Sequence, residues 1–513
     1  MKFKKKKIRS QPKKKSLTHK KFISGARNLL TGFSFSRRQL IFTLSIVLAL
    51  LFIFSAVAQA LQMTQKIDLG KIFNFKKIIS KSIGSPLKKD LNGNTNVLVF
   101  GTGGEGHDGE DLTDTIILAS INEENGTTSL LSVPRDFYFS DRKLGNTRIN
   151  QIYDFGKRRF SAKEGIRRLK NAVSEITDIE IQYYVSVNFQ ALVDIVDALE
   201  GIEIHVPETI YDTHYPNKQE NGYVIFHIKE GWQTLDGETV LKYARSRKTT
   251  SDFSRSSRQH KILSAIREKT LAQGILTSPS KIKKLFNIFE ENIDTDLQIG
   301  EILTLAAVAS DLDSENIFST VLSDDANSKG GFLYTPPREN YNGAAVLVPA
   351  GGKYDDLHVF ADINLSQANF LKEKAKISVL NSTRRSGLAT LYSSTLERFG
   401  FQVVDVDNVK QYDLKGKLGF DPKDLAKKAG IMILPADWKS ISLSIEILKS
   451  HKFVEDFAIL TAKSDQEVAA NNNVVLLSPK EEEKPEPKIK KEEANIVIIL
   501  GGKFRNPYPL VYF

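Results

Sequence analysis

The sequence predicts an α/β protein with a main β-sheet covered by helices, a smaller α/β domain after it, and one membrane-spanning helix near its start. Three observations support this prediction. A stretch without charge, Leu40–Leu61, follows a basic leader. Short β-branched runs then alternate with a helical pattern as far as Val206. A strand–helix–strand pattern begins again near Ala375.

The uncharged stretch Leu40–Leu61 is long enough to cross a membrane. At 1.5 Å per residue, a helix of this length spans a hydrocarbon core of roughly 30 Å. The alternatives are a buried core helix and a cleaved signal peptide, since Ala58-Gln59-Ala60 resembles a small-residue cleavage site. Because the apolar run exceeds a typical signal core of about 7–15 residues, we expect an uncleaved helix over 39–61.

Basic residues are concentrated ahead of this predicted helix. Residues 1–38 hold fourteen Lys/Arg and no acid, so the rest of the chain has 58 basic and 61 acidic residues, a net charge of −3. We expect 1–38 to be a cytoplasmic tail against anionic lipid, and the domains that follow to be extracellular, held at the cell membrane by a single pass. The nearly neutral body gives no argument for nucleic acid as a partner. The chain has no cysteine, which excludes disulfides and thiolate sites.

After a polar stalk predicted over 62–92, the main domain is predicted over 93–361. Its short apolar runs are rich in β-branched residues and are bounded by turn residues, as is typical of strands. The predicted strands are Asn96–Phe100, Thr115–Ile121, Ser129–Val133, Tyr183–Val187 and Gly201–Val206. Asn125-Gly126 is a strong hairpin signal between the second and third of them.

A helix is predicted between the last two of these strands. Apolar residues recur there at i, i+3, i+4, i+7 and i+10, from Phe189 to Leu199. This stripe could line a groove for an apolar ligand or could simply face the core.

The second domain is predicted over 375–502. Its first strand, helix and second strand are separated by Gly387 and Gly400, which fall directly before and after the helix. The charged, proline-bearing segment 479–493 is followed by one more strand, so we expect a disordered loop inside this domain.

Gly101 to Gly106 form a literal G-x-G-x-x-G pattern after the first strand, which is a fingerprint of dinucleotide binding when the glycines open a crossover helix. Only the eight residues His107 to Asp114 separate the glycines from the next strand. Because so short a segment cannot hold that helix, nucleotide-cofactor binding is excluded. We expect the glycines to let the backbone pass close to a bound group.

Charged residues follow or precede several predicted strands, where α/β sheets usually bind ligands. Asp114 stands at the mouth of the second strand, and Arg135 and Asp136 directly follow the third. Taken singly, Asp114 could cap a turn and Arg135 could pair locally with Asp136.

Four arginines cluster later in the chain. Arg245 and Arg247 alternate, so an extended segment would put them on one face, and Arg255 and Arg258 share one face of a predicted helix. A solvated surface is the ordinary explanation for such residues. Arginine forks match phosphate oxygens, however, and a nearby carboxylate can hold a Mg²⁺ ion that bridges them. The combination predicts a pyrophosphate clamp.

These residues also carry a family resemblance. The blocks NVLVFG, LTDTIILASI, LLSVPRDFYF, RINQIY, YYVSVNFQALVDIVDALEGIEIHVP, GWQTLDGETVLKYARSR and DFSRSSRQ, in this order, resemble a LytR-CpsA-Psr (LCP) domain. ISVLNSTRRSGLA resembles the LytR C-terminal domain that often follows it. The resemblance implies an LCP-type central mixed β-sheet flanked by helices.

The resemblance also implies an enzyme, an LCP-type phosphotransferase. Such enzymes take a glycopolymer, a teichoic acid or another polysaccharide, from a polyprenyl-pyrophosphate carrier and join it to peptidoglycan through a phosphodiester, with Mg²⁺. Asp114 would be a metal ligand, and Asp252, Arg135 and Arg245 would serve catalysis. The residues implied to bind the pyrophosphate are Arg135, Arg245, Arg247, Arg255, Arg258 and Gln259.

Two positions depart from the family pattern. Gly103 stands where the family usually has a metal-binding aspartate, and Glu200 stands where it often has glycine, a change we expect a turn to absorb. Glu105, His107 or Asp108 could replace the missing carboxylate, and we favour Asp108 because a hard cation prefers carboxylate oxygen. Metal held by Asp114 alone, or no metal, are the alternatives.

Three functions remain open from the sequence. In the phosphotransferase, Asp252 would orient or deprotonate the acceptor hydroxyl, or it would only pair with neighbouring arginines. The second function is a non-catalytic polysaccharide-binding or scaffold protein. The third is a pyrophosphatase that hydrolyses the lipid carrier.

Overall fold

The computed structural model describes residues 85–107, 109–217, 222–246, 252–272, 288, 291–409, 425–461 and 494–509, without the side chains of 252–254. All of these residues belong to one compact unit. The predicted tail (1–38), the predicted span (39–61) and the charged loop (479–493) lie outside them. Within the described ranges, no helix combines the length and the apolar character that crossing a membrane requires.

The first part of the chain is rich in short strands. They are β1 (Thr95–Thr102), β2 (Thr115–Asn122), β3 (Thr127–Ser132), β4 (Tyr138–Asp141), β5 (Gly145–Arg148), β6 (Tyr183–Asn188), β7 (Ile202–Val206), β8 (Ile210–Pro216), β9 (Tyr223–Ile228), β10 (Gly231–Leu235), β11 (Ile293–Thr295), β12 (Ile317–Val321), β13 (Leu333–Tyr334) and β14 (Val348–Pro349).

Helices alternate with these strands. They are α1 (Ile152–Arg159), α2 (Ala162–Thr177), α3 (Phe189–Ala198), α4 (Gly237–Arg245), α5 (Asp252–Ala272), α6 (Ile299–Asp311) and α7 (Asp355–Ala361).

The main sheet is mixed, with the strand order β11-β6-β1-β2-β3-β12. β1 pairs antiparallel with β2 and parallel with β6, and β3 pairs parallel with β12. β1 is almost entirely buried, which explains why its sequence is a continuous apolar run rather than an alternating one. The α/β class with a mixed central sheet is confirmed.

The predicted local elements of this part are confirmed. All five predicted strands are present, as β1, β2, β3, β6 and β7, and the helix between β6 and β7 is α3. β2 and β3 form the predicted hairpin, with Gly126 in its turn at a φ of +60°. Antiparallel pairing of β1 with β2 confirms that no crossover helix follows the glycine pattern. Glu200 lies in the turn before β7 with a φ of +59°, in the left-handed region that favours glycine.

A second sheet follows after residue 375. Its elements are β15 (Lys376–Asn381), α8 (Leu388–Arg398), β16 (Gln402–Asn408), β17 (Gly430–Leu434), α9 (Ser442–Ser450), β18 (Phe457–Thr461) and β19 (Ile496–Leu500). The strand order is β16-β15-β19-β17-β18. The predicted strand–helix–strand unit is therefore confirmed, and the strand predicted after the charged segment is β19, in the middle of this sheet.

The two sheets share apolar packing. Phe332 contacts Phe360 and Phe399 with ring centroids 5.2 and 4.8 Å apart, and Phe399 contacts Phe453 at 5.0 Å. These four rings belong to one buried cluster that contains side chains of both sheets. The domain boundary between 361 and 375 stays a prediction.

Two helices that border the cavity described below begin at side-chain caps. Asn188 accepts a hydrogen bond from the backbone N–H of Ala191 at the start of α3. Asp236 accepts one from Thr239 at the start of α4, and hydrogen bonds to Thr239 lower the pKa of Asp236. Each cap satisfies a donor that the first turn leaves unpaired, so the sequence fixes where both helices begin.

Helix α5 is attached to the main sheet through a buried histidine. The Nε2 atom of His260 and the Oγ atom of Ser132, on β3, are 2.9 Å apart. Burial lowers the pKa of His260 to about 4 from an ordinary value of 6.5. The imidazole is therefore neutral in the folded protein at neutral pH.

We expect acid to destabilise the fold partly through His260. Below a pH of about 6.5 the unfolded chain binds a proton at this imidazole, whereas the folded chain does so only near pH 4. The free energy of unfolding should therefore fall by up to about 3 kcal/mol as the pH drops through this window, with no contribution above it. Chemical denaturation at several pH values measures this slope.

His260→Gln should flatten the slope, because glutamine does not titrate. His227 is exposed on β9, and His227→Gln serves as the matched control that keeps the wild-type slope. Equal slopes in the wild type and His260→Gln would contradict the assignment.

Candidate functional site

A cavity of 540 Å³ opens at the edge of the main sheet. Strand register places three chain segments there: Gly101 at the end of β1 pairs with Thr115 at the start of β2 and with Val187 near the end of β6. α3, α4, α5 and the β8–β9 hairpin supply the remaining walls. The volume is typical of pockets that bind small ligands or cofactors.

Asp114 lines this cavity and is paired with Arg135. The Nη1 atom of Arg135 donates a hydrogen bond of 2.9 Å to Oδ1 of Asp114. The backbone N–H of Asp114 donates to Gly101, which ties the residue to β1. The local alternative that the sequence left open, an ion pair of Arg135 with Asp136, is also present, at 3.4 Å.

Asn150 holds both segments of this ion pair. Its carbonyl accepts hydrogen bonds from the backbone N–H and the hydroxyl of Thr113, and its own N–H donates to the carbonyl of Arg135. Arg148, two residues earlier, forms an ion pair of 3.0 Å with Asp136. Sequence reasoning gave these residues no role, although both lie in the block RINQIY that contributed to the resemblance.

Arg245 lines the cavity from the last position of α4. Its guanidinium carbon lies 4.3 Å from the ring centroid of Phe189 and 5.8 Å from that of Tyr215. Aromatic faces on two elements thus hold the cation where it reaches the cavity. The prediction of an extended segment around Arg245 is wrong, because α4 continues to this residue, and Arg247 lies outside the described residues.

Arg255 and Gln259 line the same cavity from α5, one helical turn apart. Arg258, predicted to share a helix face with Arg255, lies three residues after it on α5, and it contacts the end of α4. It donates hydrogen bonds to the carbonyls of Tyr243 and Ser246, and burial lowers its pKa. Its described contacts support a role in positioning Arg245, and pyrophosphate binding by Arg258 stays a prediction.

Asp212 also lines the cavity, and sequence reasoning missed it. Its carboxylate accepts hydrogen bonds from the hydroxyl of Ser246 at 2.8 Å and from the backbone of His214 at 3.0 Å. Because Ser246 follows Arg245, Asp212 and Arg258 fix the end of α4 from two elements. The sequence did not reveal the bond to α4, because Ser246 is 34 residues away from Asp212.

One wall of the cavity is apolar. It is formed by side chains that remain partly exposed to solvent: Phe189, Leu192, Leu241 and Leu263. Leu263 is 38% exposed. Both interpretations of the α3 stripe therefore hold for different residues, because Phe189 and Leu192 face the cavity while Val193, Val196 and Leu199 are buried.

Of the segment 101–108, which holds the glycine pattern and the candidate replacement ligands, only Gly101 is among the described residues that line this cavity. Asp108 lies outside the described residues, and Glu105 lines a separate acidic cavity of 640 Å³. A Cβ at Gly103 would lie only 3.0 Å from the Cβ of His107, whose ring packs edge-on against Phe189. His107 thus crowds the position of the family's usual aspartate.

The described residues contain no group of three or more histidine and carboxylate side chains that could enclose a metal ion. Asp114 is the predicted ligand among them, with 35% of its side chain exposed at the cavity. Mg²⁺ is often held by one or two carboxylates together with substrate phosphates and water. The donor set fits that limited kind of site.

The side chain of Asp252, predicted to act on the acceptor, lies outside the described residues, although the residue begins α5. Its role stays a prediction, as does that of Arg247.

A family model described as the LytR_cpsA_psr family matches residues 50–344. The chain belongs to this family. A second model, described as LytR cell envelope-related transcriptional attenuator, matches residues 374–437. The resemblance seen in the sequence is confirmed for both parts of the chain.

Two relatives show the range of similarity. The chain is 25% identical over 368 residues to the cell wall biosynthesis protein LcpA of Corynebacterium glutamicum, covering 64% of this chain and 66% of LcpA. It is 30% identical over 237 residues to TagV of Bacillus subtilis, named a polyisoprenyl-teichoic acid–peptidoglycan teichoic acid transferase, covering 45% of this chain and 54% of TagV. The chain thus spans less than two thirds of either relative.

Among solved structures, the crystal structure of B. subtilis TagV is 24% identical and has a TM-score of 0.41. The match covers 54% of this chain and 98% of that chain. At this TM-score the similarity carries no argument about the site.

Arg258→Lys should lower the free energy of unfolding by about 2–3 kcal/mol, because an ammonium group cannot replace the two hydrogen bonds that the buried guanidinium donates to backbone carbonyls. Chemical denaturation measures the loss. Arg245→Lys, which changes a cavity-lining arginine in the same way, should stay within about 1 kcal/mol of the wild type. Equal stability of the two variants would contradict a positioning role for Arg258.

Proposed function

We propose that this protein is a membrane-anchored phosphotransferase. It transfers a glycopolymer from a polyprenyl-pyrophosphate carrier to peptidoglycan and forms a phosphodiester link. Family membership and the names of the relatives support a transferase of cell-wall polymers. The observation that carries the finer proposal is one cavity lined by Asp114, Arg245, Arg255 and Gln259 at its polar end and by leucine and phenylalanine side chains along its wall.

The polar end suits a pyrophosphate. Arg245 and Arg255 reach the cavity from different helices, so their guanidinium groups can approach linked phosphates from two sides. The aromatic rings beside Arg245 restrict its motion, which lowers the entropy cost of fixing it on a ligand. Arg135 is bonded to Asp114 and is not among the residues that line the cavity, so pyrophosphate binding by Arg135 stays a prediction.

The apolar wall suits a polyprenyl chain. Phe189, Leu192 and Leu263 are partly exposed in the cavity, and their burial by a hydrocarbon chain is favourable by roughly 25 cal/mol per Å². Tyr223 continues this surface onto the β8–β9 hairpin, where Val224 and Ile225 are also exposed. We propose that the lipid leaves the cavity along this hairpin.

In the proposed step, an acceptor hydroxyl attacks the phosphorus that carries the glycopolymer. A new phosphorus–oxygen bond forms to the acceptor, the bond to the bridging oxygen breaks, and polyprenyl phosphate leaves with that oxygen. The hydroxyl proton passes to a base, for which Asp252 is our candidate. Arg245 and Arg255 orient the pyrophosphate and stabilise charge on the leaving group, the contributions that phosphoryl transfer chiefly needs.

Mg²⁺ is the proposed cofactor, with Asp114 as its ligand among the described residues and Asp108 as a second candidate ligand. Bound to phosphate oxygens, it would offset their negative charge.

Chelation with EDTA should then abolish transfer, and added Mg²⁺ should restore it.

The location is likewise proposed. A helix over 39–61 would anchor the protein once in the cell membrane, with 1–38 in the cytoplasm and the cavity outside, next to the outer leaflet where a lipid carrier and peptidoglycan can both be reached.

Arg245→Ala should lower the rate of transfer by roughly 10²–10³-fold, because one charge-stabilising donor is lost from the reacting centre. The measurement is transfer of labelled glycopolymer from a synthetic polyprenyl-pyrophosphate donor to peptidoglycan. Lys261→Ala, on the outer side of α5, is the matched control and should keep wild-type activity. Wild-type rates in Arg245→Ala would refute the clamp.

The products separate the alternatives. A ligated polymer supports the phosphotransferase, whereas free glycan phosphate that forms equally with and without peptidoglycan identifies a pyrophosphatase. Polymer binding without turnover at any Mg²⁺ concentration identifies a scaffold protein.

A further inference from the structure

A further cavity, of 740 Å³, lies at one edge of the C-terminal sheet. β15 runs parallel to β16 and β19, and Asn381 pairs with both Asn408 and Leu500, so these three strands end at the same edge. Gly430, at the start of β17, pairs with Leu500. Carboxyl ends of parallel strands are where α/β sheets usually bind ligands.

Positively charged side chains from three chain segments meet at this cavity. We call them the basic pocket: Arg385, Lys427, Lys428, Lys503 and Arg505. Among the described residues that line it, Asp456 is the one carboxylate beside these five cationic side chains. The five come from the loop after β15, the segment before β17 and the segment after β19, so their convergence is a property of the tertiary structure.

Backbone contacts fix these segments to one another. The N–H of Lys503 donates to the carbonyl of Lys428 at 3.1 Å, and the N–H of Gly501 donates to Ala429 at 2.8 Å. A Cβ at Gly501 would overlap the carbonyl oxygen of Lys428, so glycine permits this approach. These hydrogen bonds therefore fix the distance between the segment that carries Lys428 and the segment that carries Lys503.

The loop after β15 is fixed in the same way. Its Asn381 amide donates to the carbonyl of Arg385 at 2.8 Å, and the hydroxyl of Ser382 donates to Leu500 at 2.6 Å. Arg385 in turn donates from Nη2 to the carbonyl of Phe504 at 2.6 Å. One nitrogen of its guanidinium thus anchors the side chain to the segment that carries Lys503 and Arg505.

We propose that the basic pocket binds the phosphate groups of a phosphodiester-linked polymer. Like charges that line one cavity repel one another, and a polyanion with regularly spaced phosphates relieves that repulsion. The arginines can bind phosphate oxygens through their forks, and the lysines act as point charges. The identity of the polymer in this inference rests on the proposed function. The binding site itself lies in the C-terminal domain, separate from the cavity at Arg245.

The test measures binding of a fluorescent glycerol-phosphate oligomer to the full chain in detergent, by anisotropy. Lys503→Glu/Arg505→Glu should weaken binding at least about tenfold, because two of the attracting charges become repulsive. Both side chains are exposed, so the fold should be retained, which circular dichroism verifies. Arg385 is left unchanged because its hydrogen bond to Phe504 supports the loop.

The matched control is Lys439→Glu/Lys449→Glu, which reverses two exposed lysines of the same domain outside the basic pocket. It should bind like the wild type. Equal weakening in both double variants would mean that overall charge, rather than the pocket, attracts the oligomer, and would overturn the proposal.

Competitors and a third variant separate the remaining outcomes. Inorganic phosphate or an oligonucleotide that competes as well as the unlabelled oligomer would overturn recognition of this polymer class. Arg245→Ala should bind the oligomer normally while losing transfer, and loss of binding there, with retention in Lys503→Glu/Arg505→Glu, would place the oligomer in the other cavity and overturn the proposal. A further result would separate this inference from the proposed function. If neither the wild type nor any variant shows transfer, the proposed function fails; if Lys503→Glu/Arg505→Glu is then the one variant that loses oligomer binding, this inference stands.

Discussion

The pairing of β1 with β2 on one side and β6 on the other is the constraint on which the candidate site depends. Its register puts Gly101 beside Thr115 and Val187, so Asp114 and the start of α3 must lie at the same edge. A one-residue slip would exchange the side chains on the two buried faces of β1 and so disturb the packing of both. The position of Asp114 therefore follows from the pairing of the strands.

The end of α4 shows how positioning residues and ligand-facing residues are divided. Arg245 faces the cavity between Phe189 and Tyr215, while Arg258 and Asp212 bond to the turn directly behind it. A mobile arginine would lose rotamer freedom on binding, and this one has lost much of it already. Arg258 and Asp212 therefore contribute to the site indirectly. Their hydrogen bonds hold the end of α4 and so hold Arg245 at the cavity.

The two sheets of the protein present cations at their edges by different means. Among the described residues that line the cavity of the main sheet there are two such cations, Arg245 and Arg255, which are wholly or partly buried. They lie beside Asp114 and an apolar wall, an arrangement suited to a small charged group on a lipid. In the C-terminal sheet the cations are exposed, more numerous, and set on loops, an arrangement suited to an extended polyanion. If the chain transfers a long polymer as proposed, a second contact at the basic pocket would raise the effective concentration of that polymer at the first cavity.

The sequence by itself determined the strands, the β2–β3 hairpin, α3 and the first unit of the C-terminal sheet, because hydrophobic periodicity and turn residues act locally. It also predicted a site that contains Asp114, Arg245, Arg255 and Gln259, through their residue types and the family's blocks, and the fold places these four at one cavity. Only the tertiary structure decided that α4 reaches Arg245, that Arg258 bonds to the backbone, and that Asp212 and Asn150 hold the site together. Those features depend on contacts between residues distant in the chain, and no local pattern encodes which distant carbonyl or hydroxyl a buried side chain will meet.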